Sequence, residues 1–395
     1  MHVTPLVWGL TIVVIVALLA FDYFFHVRHA HVPTLREAAI WSSIYVGLAL
    51  IFGVVVLIFG GVTMGSEYFA GYVTEKALSV DNLFVFLIII SSFRVPREDQ
   101  QKVLLFGIVF SIFARTAFIF LGAALINSFA WVFYIFGLIL LITAGNMLRP
   151  ETEESHSADN FIIRIAKKFM HTTEHYDGDK LFTIENGKRA MTPMLLVMVA
   201  IGGTDILFAL DSIPAIFGLT QNVFIVFTAT VFSLMGLRQL YFLLDGLLDR
   251  LIYLSFGLAA ILGFIGVKLI LHALHENNLP FVNDGEPVAV VEVSTALSLG
   301  VIIGVLIVTV IASLTSQKGR AQAAIAGARH HAANYVDLDY TADADERERI
   351  YTKLVKEEEQ LKNLDPKFKK MVREETALLD LIKRAHADHD AFLNR

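Results

Sequence analysis

Gly202–Phe217, GGTDILFALDSIPAIF, decides how the chain is read, because it sets Asp205 and Asp211 inside an apolar segment running from Met194 to Phe227. An ionised side chain near a bilayer centre costs roughly 2.5–3.5 kcal/mol on insertion scales, so it normally faces a partner, an ion or a water-filled cavity. Pro214 has no N–H and clashes with the carbonyl of residue 210, which frees that oxygen if the segment is helical. Ser212 adds a hydroxyl beside Asp211. Carboxylates, a hydroxyl and a free carbonyl at membrane depth fit the broken-helix ion sites of transporters. The plainer reading of such an Asp is a half-helix cap or a pair with a basic neighbour.

The rest of the chain fits a membrane setting. Its 395 residues are 55% hydrophobic, well above a soluble domain, and its net charge of −6 is spread over loops and the C-terminal region. Cysteine is absent, which excludes disulfides, thiolate metal sites and cysteine nucleophiles and leaves oxygen and imidazole as metal ligands. The N-terminal run lacks a cationic leader region and reads as a first span. With about 20 apolar residues per spanning helix, the sequence predicts an all-α polytopic membrane protein of about nine helices, near 6–25, 39–60, 71–93, 103–126, 128–148, 193–217, 221–243, 251–272 and 294–315.

Lys and Arg occupy alternate connections. Arg28 and Arg36 follow the first span, Arg94, Arg97 and Lys102 the third, a group from Arg149 to Arg189 the fifth, and Arg250 the seventh. The connections between, Gly61–Ala70, Asn127, Gly218–Gln221 and Ala273–Val293, hold none. The positive-inside rule then puts the N-terminus outside and the tail in the cytoplasm, with the cell membrane as the location. In the basic loop, Phe161, Ile162, Ile165 and Phe169 are spaced as a short interfacial helix, and Lys180–Thr192 reads as a hairpin turning at Asn186-Gly187. The tail from Ser316 to Arg395 has helical patterning over Arg347–Leu361 and Phe368–Leu393 and reads as a solvated surface, open to a cytoplasmic partner or to homo-oligomer contacts.

Self-similarity organises the spans. SVDNLFVF at Ser79–Phe86 aligns with ALDSIPAIF at Ala209–Phe217, matching Asp81 to Asp211 and Asn82 to Ser212. Val109–Ile112 with Arg115 then parallels Val231–Leu234 with Arg238, with one gapped residue. The unit is three helices, and an odd number of crossings between copies makes the repeat inverted, as in many secondary transporters. The expected organisation is two helices over 1–70, a first repeat over 71–148, a loop over 149–192, a second repeat over 193–272, an external loop and last helix over 273–315, and the charged tail over 316–395.

The chemistry-bearing residues follow. Glu75, Ser79 and Asn82 share one helical face, with Asp81 about 120° away. Asp205 and Asp211 have the same six-residue offset as Glu75 and Asp81, so a shared ion needs either a broken helix or ligands from both repeats. Gly202-Gly203 and Pro214 make a break plausible. Lys76 is a counter-ion for a carboxylate or snorkels to the interface. Asp22 and His26 share a face at i, i+4 and, with Lys76, are candidates for a proton or ion path, while Arg115 and Arg238 suit pairing with acids or a gate. Hard oxygen donors favour Mn²⁺, Mg²⁺ or Ca²⁺.

FDYFFH at Phe21–His26, EKALSVDNLFVF at Glu75–Phe86 and TDILFALDSIPAIF at Thr204–Phe217 together resemble the TerC family of integral membrane proteins, named for tellurium resistance. The resemblance covers roughly Phe21 to Leu271. It implies a divalent-cation exporter related to the lysine-exporter superfamily, with Mn²⁺ as cargo and no permanently bound cofactor. Glu75, Asp81, Asn82, Asp205, Asp211 and Ser212 are the metal-path residues it implies. An acidic path suits tellurite, an oxyanion, poorly. Two other classes compete. An intramembrane aspartyl protease is disfavoured because Asp205 lacks the expected preceding glycine, so no enzymatic activity is expected; a membrane assembly partner without transport would work through the loop and tail. Nothing in the pattern suggests nucleic acid.

Overall fold

The computed structural model describes residues 3–24, 35–93, 95–129, 131–148, 180–185, 188–244, 251–277, 279–280, 282–336, 344–364, 367 and 376–393. The helices are α1 (Pro5–Asp22), α2 (Leu35–Ser92), α3 (Arg97–Ser128), α4 (Val132–Met147), α5 (Pro193–Phe217), α6 (Val223–Leu234), α7 (Leu237–Leu244), α8 (Leu254–His275), α9 (Thr295–Thr315), α10 (Gln317–Val336), α11 (Ala344–Lys362) and α12 (Thr376–Leu393). Two strands, β1 (Phe182–Glu185) and β2 (Lys188–Met191), pair antiparallel with Glu185 opposite Lys188. The expected hairpin is therefore present, though its Asn186-Gly187 turn lies outside the described residues, as does the expected interfacial helix near Phe161–Phe169.

Among the described residues, seven helical stretches are long and apolar enough to cross a membrane, and Val132–Met147 is a shorter apolar helix. They do not map one to one onto nine spans. The second and third expected spans lie in one helical run, and the expected connection Gly61–Ala70 is helical rather than a loop. That run is interrupted at Gly61, where φ 85° and ψ 173° are open to glycine and strained for other residues.

The chain divides into two compact units, Met1–Leu243 with Ser255–Val305, and Leu244–Leu254 with Leu306–Arg395. In the first, α5 is central, packed against α2, α3 and α4. It is apolar nearly all round, the signature of a helix buried by other helices, and Ala200, Ile201, Ala215 and Ile216 are fully enclosed. Gly202 does not break it. A Cβ there would stand 3.0 Å from the Phe110 ring, so glycine lets α3 lie close instead. Tyr45, Tyr68, Tyr72, Phe224 and Phe232 make a second apolar cluster joining α2 to α6. The outer helices present large apolar side chains outward, including Leu6, Phe59, Phe113 and Val308. Such continuous exposed apolar surface suits lipid, not water.

The second unit corrects the reading of the tail as a simple solvated surface. α10, α11 and α12 pack around Ala328, Ala332, Tyr335, Leu354, Leu378, Ile382 and Ala385, all buried. Small residues on α10 let the helices approach, and apolar residues at helical spacing on α11 and α12 fill the space between them.

Candidate functional site

The site forms where α2, α3 and α5 meet. Arg115, on α3, is 1% exposed and extends its guanidinium to α5. Its Nε donates to Asp205 Oδ2 at 3.3 Å and its Nη2 to Asp205 Oδ1 at 3.1 Å, a two-pronged contact. Nη1 donates to Ser212 Oγ at 3.0 Å and also abuts Glu75 Oε1, from α2. Planar, forked donors make arginine suited to this geometry. Glu75 is 0% exposed and Asp205 2%. One guanidinium therefore faces two buried carboxylates. Asp211, half-buried and six residues beyond Asp205 on α5, lies within the electrostatic reach of Arg115 and Asp81. Among the described residues, Arg115 thus has Glu75 and Asp205 in direct contact and Asp211 within electrostatic reach.

Several buried polar atoms have no hydrogen-bond partner among the described residues: Glu75 Oε2 and Ser79 Oγ on α2, and Thr230 Oγ1 on α6. Buried polar atoms of this kind are normally met by water or an ion. Asn82 is also buried on the face of α2 that carries Glu75 and Ser79.

α5 runs without interruption from Pro193 to Phe217. The expected break between Asp205 and Asp211 is absent, so those two carboxylates do not converge on one ion through a broken helix. Pro214 lies in the last turn of α5, where losing one hydrogen bond need not split the helix. The interruption falls instead between α6 and α7. Met235 has φ −62° and ψ 137°, and Gly236 has φ 75°, with a Cβ there only 2.7 Å from Tyr45 Cβ. Lys76 Nζ caps the freed end of α6, donating to the Ser233 carbonyl at 2.9 Å and the Met235 carbonyl at 3.3 Å. Lys76 thus neither serves a carboxylate nor snorkels; cations are favoured at helix C-termini.

Beyond the break, Arg238 makes a second buried cluster. Its Nη2 donates to Asp22 Oδ1 at 2.7 Å, Nη1 to Gln101 Oε1, and Gln239 Nε2 donates to the same Asp22 oxygen at 2.9 Å. Asp22 is 7% exposed. His26 lies outside the described residues. Gln101 and Gln239 escaped the sequence reading. Gln239 carried a signal, a second polar residue beside Arg238 in an apolar run; Gln101 sits in a polar segment and carried none.

A third polar site was also missed. Thr220 Oγ1 donates to Glu67 Oε2 at 2.6 Å, and Glu67 lines two cavities of about 370 Å³ each. Lys268, His272 and Glu292 line one of them. Among the described residues, no three His, Asp or Glu side chains are gathered as a ready-made metal cage.

Stacked apolar helices with an outward apolar surface and buried ion pairs define an integral membrane protein. Residues 60–321 match the model of the integral membrane protein TerC family. The chain belongs to that family. It is 58% identical over 397 residues, covering 100% of both chains, to an uncharacterized membrane protein of Mycobacterium tuberculosis (strain ATCC 25618 / H37Rv). It is 38% identical over 317 residues to Alx of Escherichia coli (strain K12), a proposed membrane-bound redox modulator, covering 78% of this chain and 94% of Alx. An uncharacterized membrane protein of Myxococcus xanthus is 37% identical over 80% of this chain and 94% of its own length. No solved structure matches the chain.

Proposed function

We propose that this protein is a secondary exporter of divalent metal cations, with Mn²⁺ as the first cargo to test. The observation carrying this reading is the surplus of acid among the described residues: Glu75 and Asp205 share Arg115, and Asp211 lies within electrostatic reach of both Arg115 and Asp81. Such a surplus in a low-dielectric interior needs cations or protons to balance it. Hard oxygen donors without thiolate suit Mn²⁺, Mg²⁺ and Ca²⁺ over softer metals.

In this reading the arrangement with Arg115 on Glu75 and Asp205 is the cargo-free one. The cation enters on the Asp81 and Asp211 side, beyond the forked contact between Arg115 and Asp205. Completing its oxygen shell requires Arg115 to swing off Glu75, which frees Glu75 Oε1 beside the partnerless Glu75 Oε2, with Ser79 Oγ on the same face of α2. Glu67 and its flanking cavities form the mouth on the side where the positive-inside pattern places the exterior. Protons that occupy the carboxylates after the metal leaves provide the exchange.

The name of Alx suggests a second reading, modulation of redox state. This chain has no cysteine and so no thiol couple of its own; a redox effect would reach the cell through the metal it moves. Reconstituted vesicles loaded in turn with Mn²⁺, Mg²⁺, Ca²⁺ and Zn²⁺ test the proposal. Wild type is expected to move Mn²⁺, and Asp81→Asn or Asp211→Asn to reduce transport at least tenfold at unchanged protein level. Full transport by both variants would overturn the site assignment; no metal movement by wild type would overturn the function.

A further inference from the structure

The helical bundle at the C-terminal end contains a cleft that neither the family nor the transport reading explains. The family match ends at residue 321. Most of the bundle lies past it. The bundle has its own apolar core.

Beside that core is a cavity of about 680 Å³. Sites for small molecules commonly span roughly 300–1,000 Å³. Arg320 from the first turn of α10 and Lys353 and Lys356 from α11 line it, together with Gln360 and Asn363. Lys353, Lys356, Gln360 and Asn363 are spaced at three- and four-residue steps and so share one face. None of the three cations has an ion pair among the described residues. The lining contains one carboxylate, Glu357, and it is occupied: His331 Nδ1 stands 2.6 Å from Glu357 Oε2. Lys353 and Lys356, three residues apart on one helix, repel each other. The positive end of the α10 dipole adds to the same field.

We propose that this cleft binds a phosphate-bearing anion. Three cations and two amide side chains around one cavity match the several acceptor oxygens and multiple charge of a phosphate group better than a lone carboxylate. The phosphate has two sources. Ser313 and Leu314, at the end of the apolar helix α9, form one wall, which puts a lipid headgroup within reach; the volume also admits a free phosphorylated metabolite.

The full-length chain tests this in two arms. In phosphatidylcholine nanodiscs, titration calorimetry with inorganic tripolyphosphate detects a soluble ligand. In detergent, native mass spectrometry with phosphatidylglycerol and phosphatidylcholine detects a retained headgroup. Lys353→Gln/Lys356→Gln alters two exposed side chains and leaves the core untouched; Lys383→Gln, outside the cleft, controls for general charge. Saturable binding in either arm, weakened at least tenfold in the double variant and less than twofold in the control, supports the site and identifies its source. No saturable binding in both arms, or equal loss in double variant and control, overturns it.

Discussion

Arg115 is the strongest place to test the structural reasoning, because its surroundings allow a magnitude. The guanidinium makes the forked contact with Asp205, reaches Ser212, and abuts Glu75, with all four side chains 0–2% exposed. Arg115→Gln leaves Glu75 and Asp205 buried with no cation. Removing one partner of a buried ion pair costs about 3–5 kcal/mol. At 1.36 kcal/mol per decade, that is roughly two to four orders of magnitude in the folded-to-unfolded ratio. Asp205→Asn leaves Arg115 its contact with Glu75, so its cost is smaller. The double variant Arg115→Gln/Asp205→Asn discards the charge together with its partner, and contacting residues couple by about 0.5–3 kcal/mol. Its cost is therefore expected to fall below the sum of the single variants by that amount. Equilibrium unfolding in mixed detergent micelles, followed by the fluorescence of Trp8, Trp41 and Trp131, measures all four states of the cycle. Arg115→Gln within about 1 kcal/mol of wild type, or strictly additive costs, would refute the buried-charge account.

Two further outcomes concern backbone and pH. Gly236→Ala forces both a left-handed conformation and a clash 2.7 Å from Tyr45 Cβ, whereas Gly61→Ala meets nothing within 4 Å and is strained by conformation alone. The expected order is Gly236→Ala more destabilising than Gly61→Ala, with backbone strain alone about 1–3 kcal/mol, read from the same unfolding titration. In the C-terminal bundle, burial alone would raise the Glu358 carboxyl, yet hydrogen bonds from Lys362 and His386 outweigh it and hold the group below its ordinary value of 4.5. A depressed carboxylate stabilises the fold above its ordinary range and loses that contribution as pH falls through the lowered value. Amide exchange in α11 and α12 is expected to quicken as pH drops below about 4.5, relative to the intrinsic rate. Glu358→Gln should flatten that response; an unchanged response would show that other groups set it.

The sequence made the apolar helices legible through length and hydropathy, and it singled out Glu75, Asp205, Arg115 and Ser212 one by one. It did not show that they meet, because partnership between three helices depends on rotation and close approach, such as α3 against Gly202. It misplaced the broken helix for a related reason. Glycine pairs and proline weaken a helix locally, but the tight packing around Gly202 keeps α5 intact. The true break had left a trace: the repeat aligned only with one residue gapped between Leu234 and Arg238, the interval that contains Gly236. The bundle core went unread because its small apolar residues on α10 are diluted among charges.

That single inserted residue has a mechanical consequence. α3 carries Arg115 on a continuous rod of 32 residues, whereas Arg238 is carried past a joint at Met235–Gly236. Two halves that match in sequence therefore differ in stiffness. Under any force that slides the helices past one another, bending gathers at the joint, so Arg238 shifts against its partners Asp22 on α1 and Gln101 on α3 more readily than Arg115 shifts against Asp205.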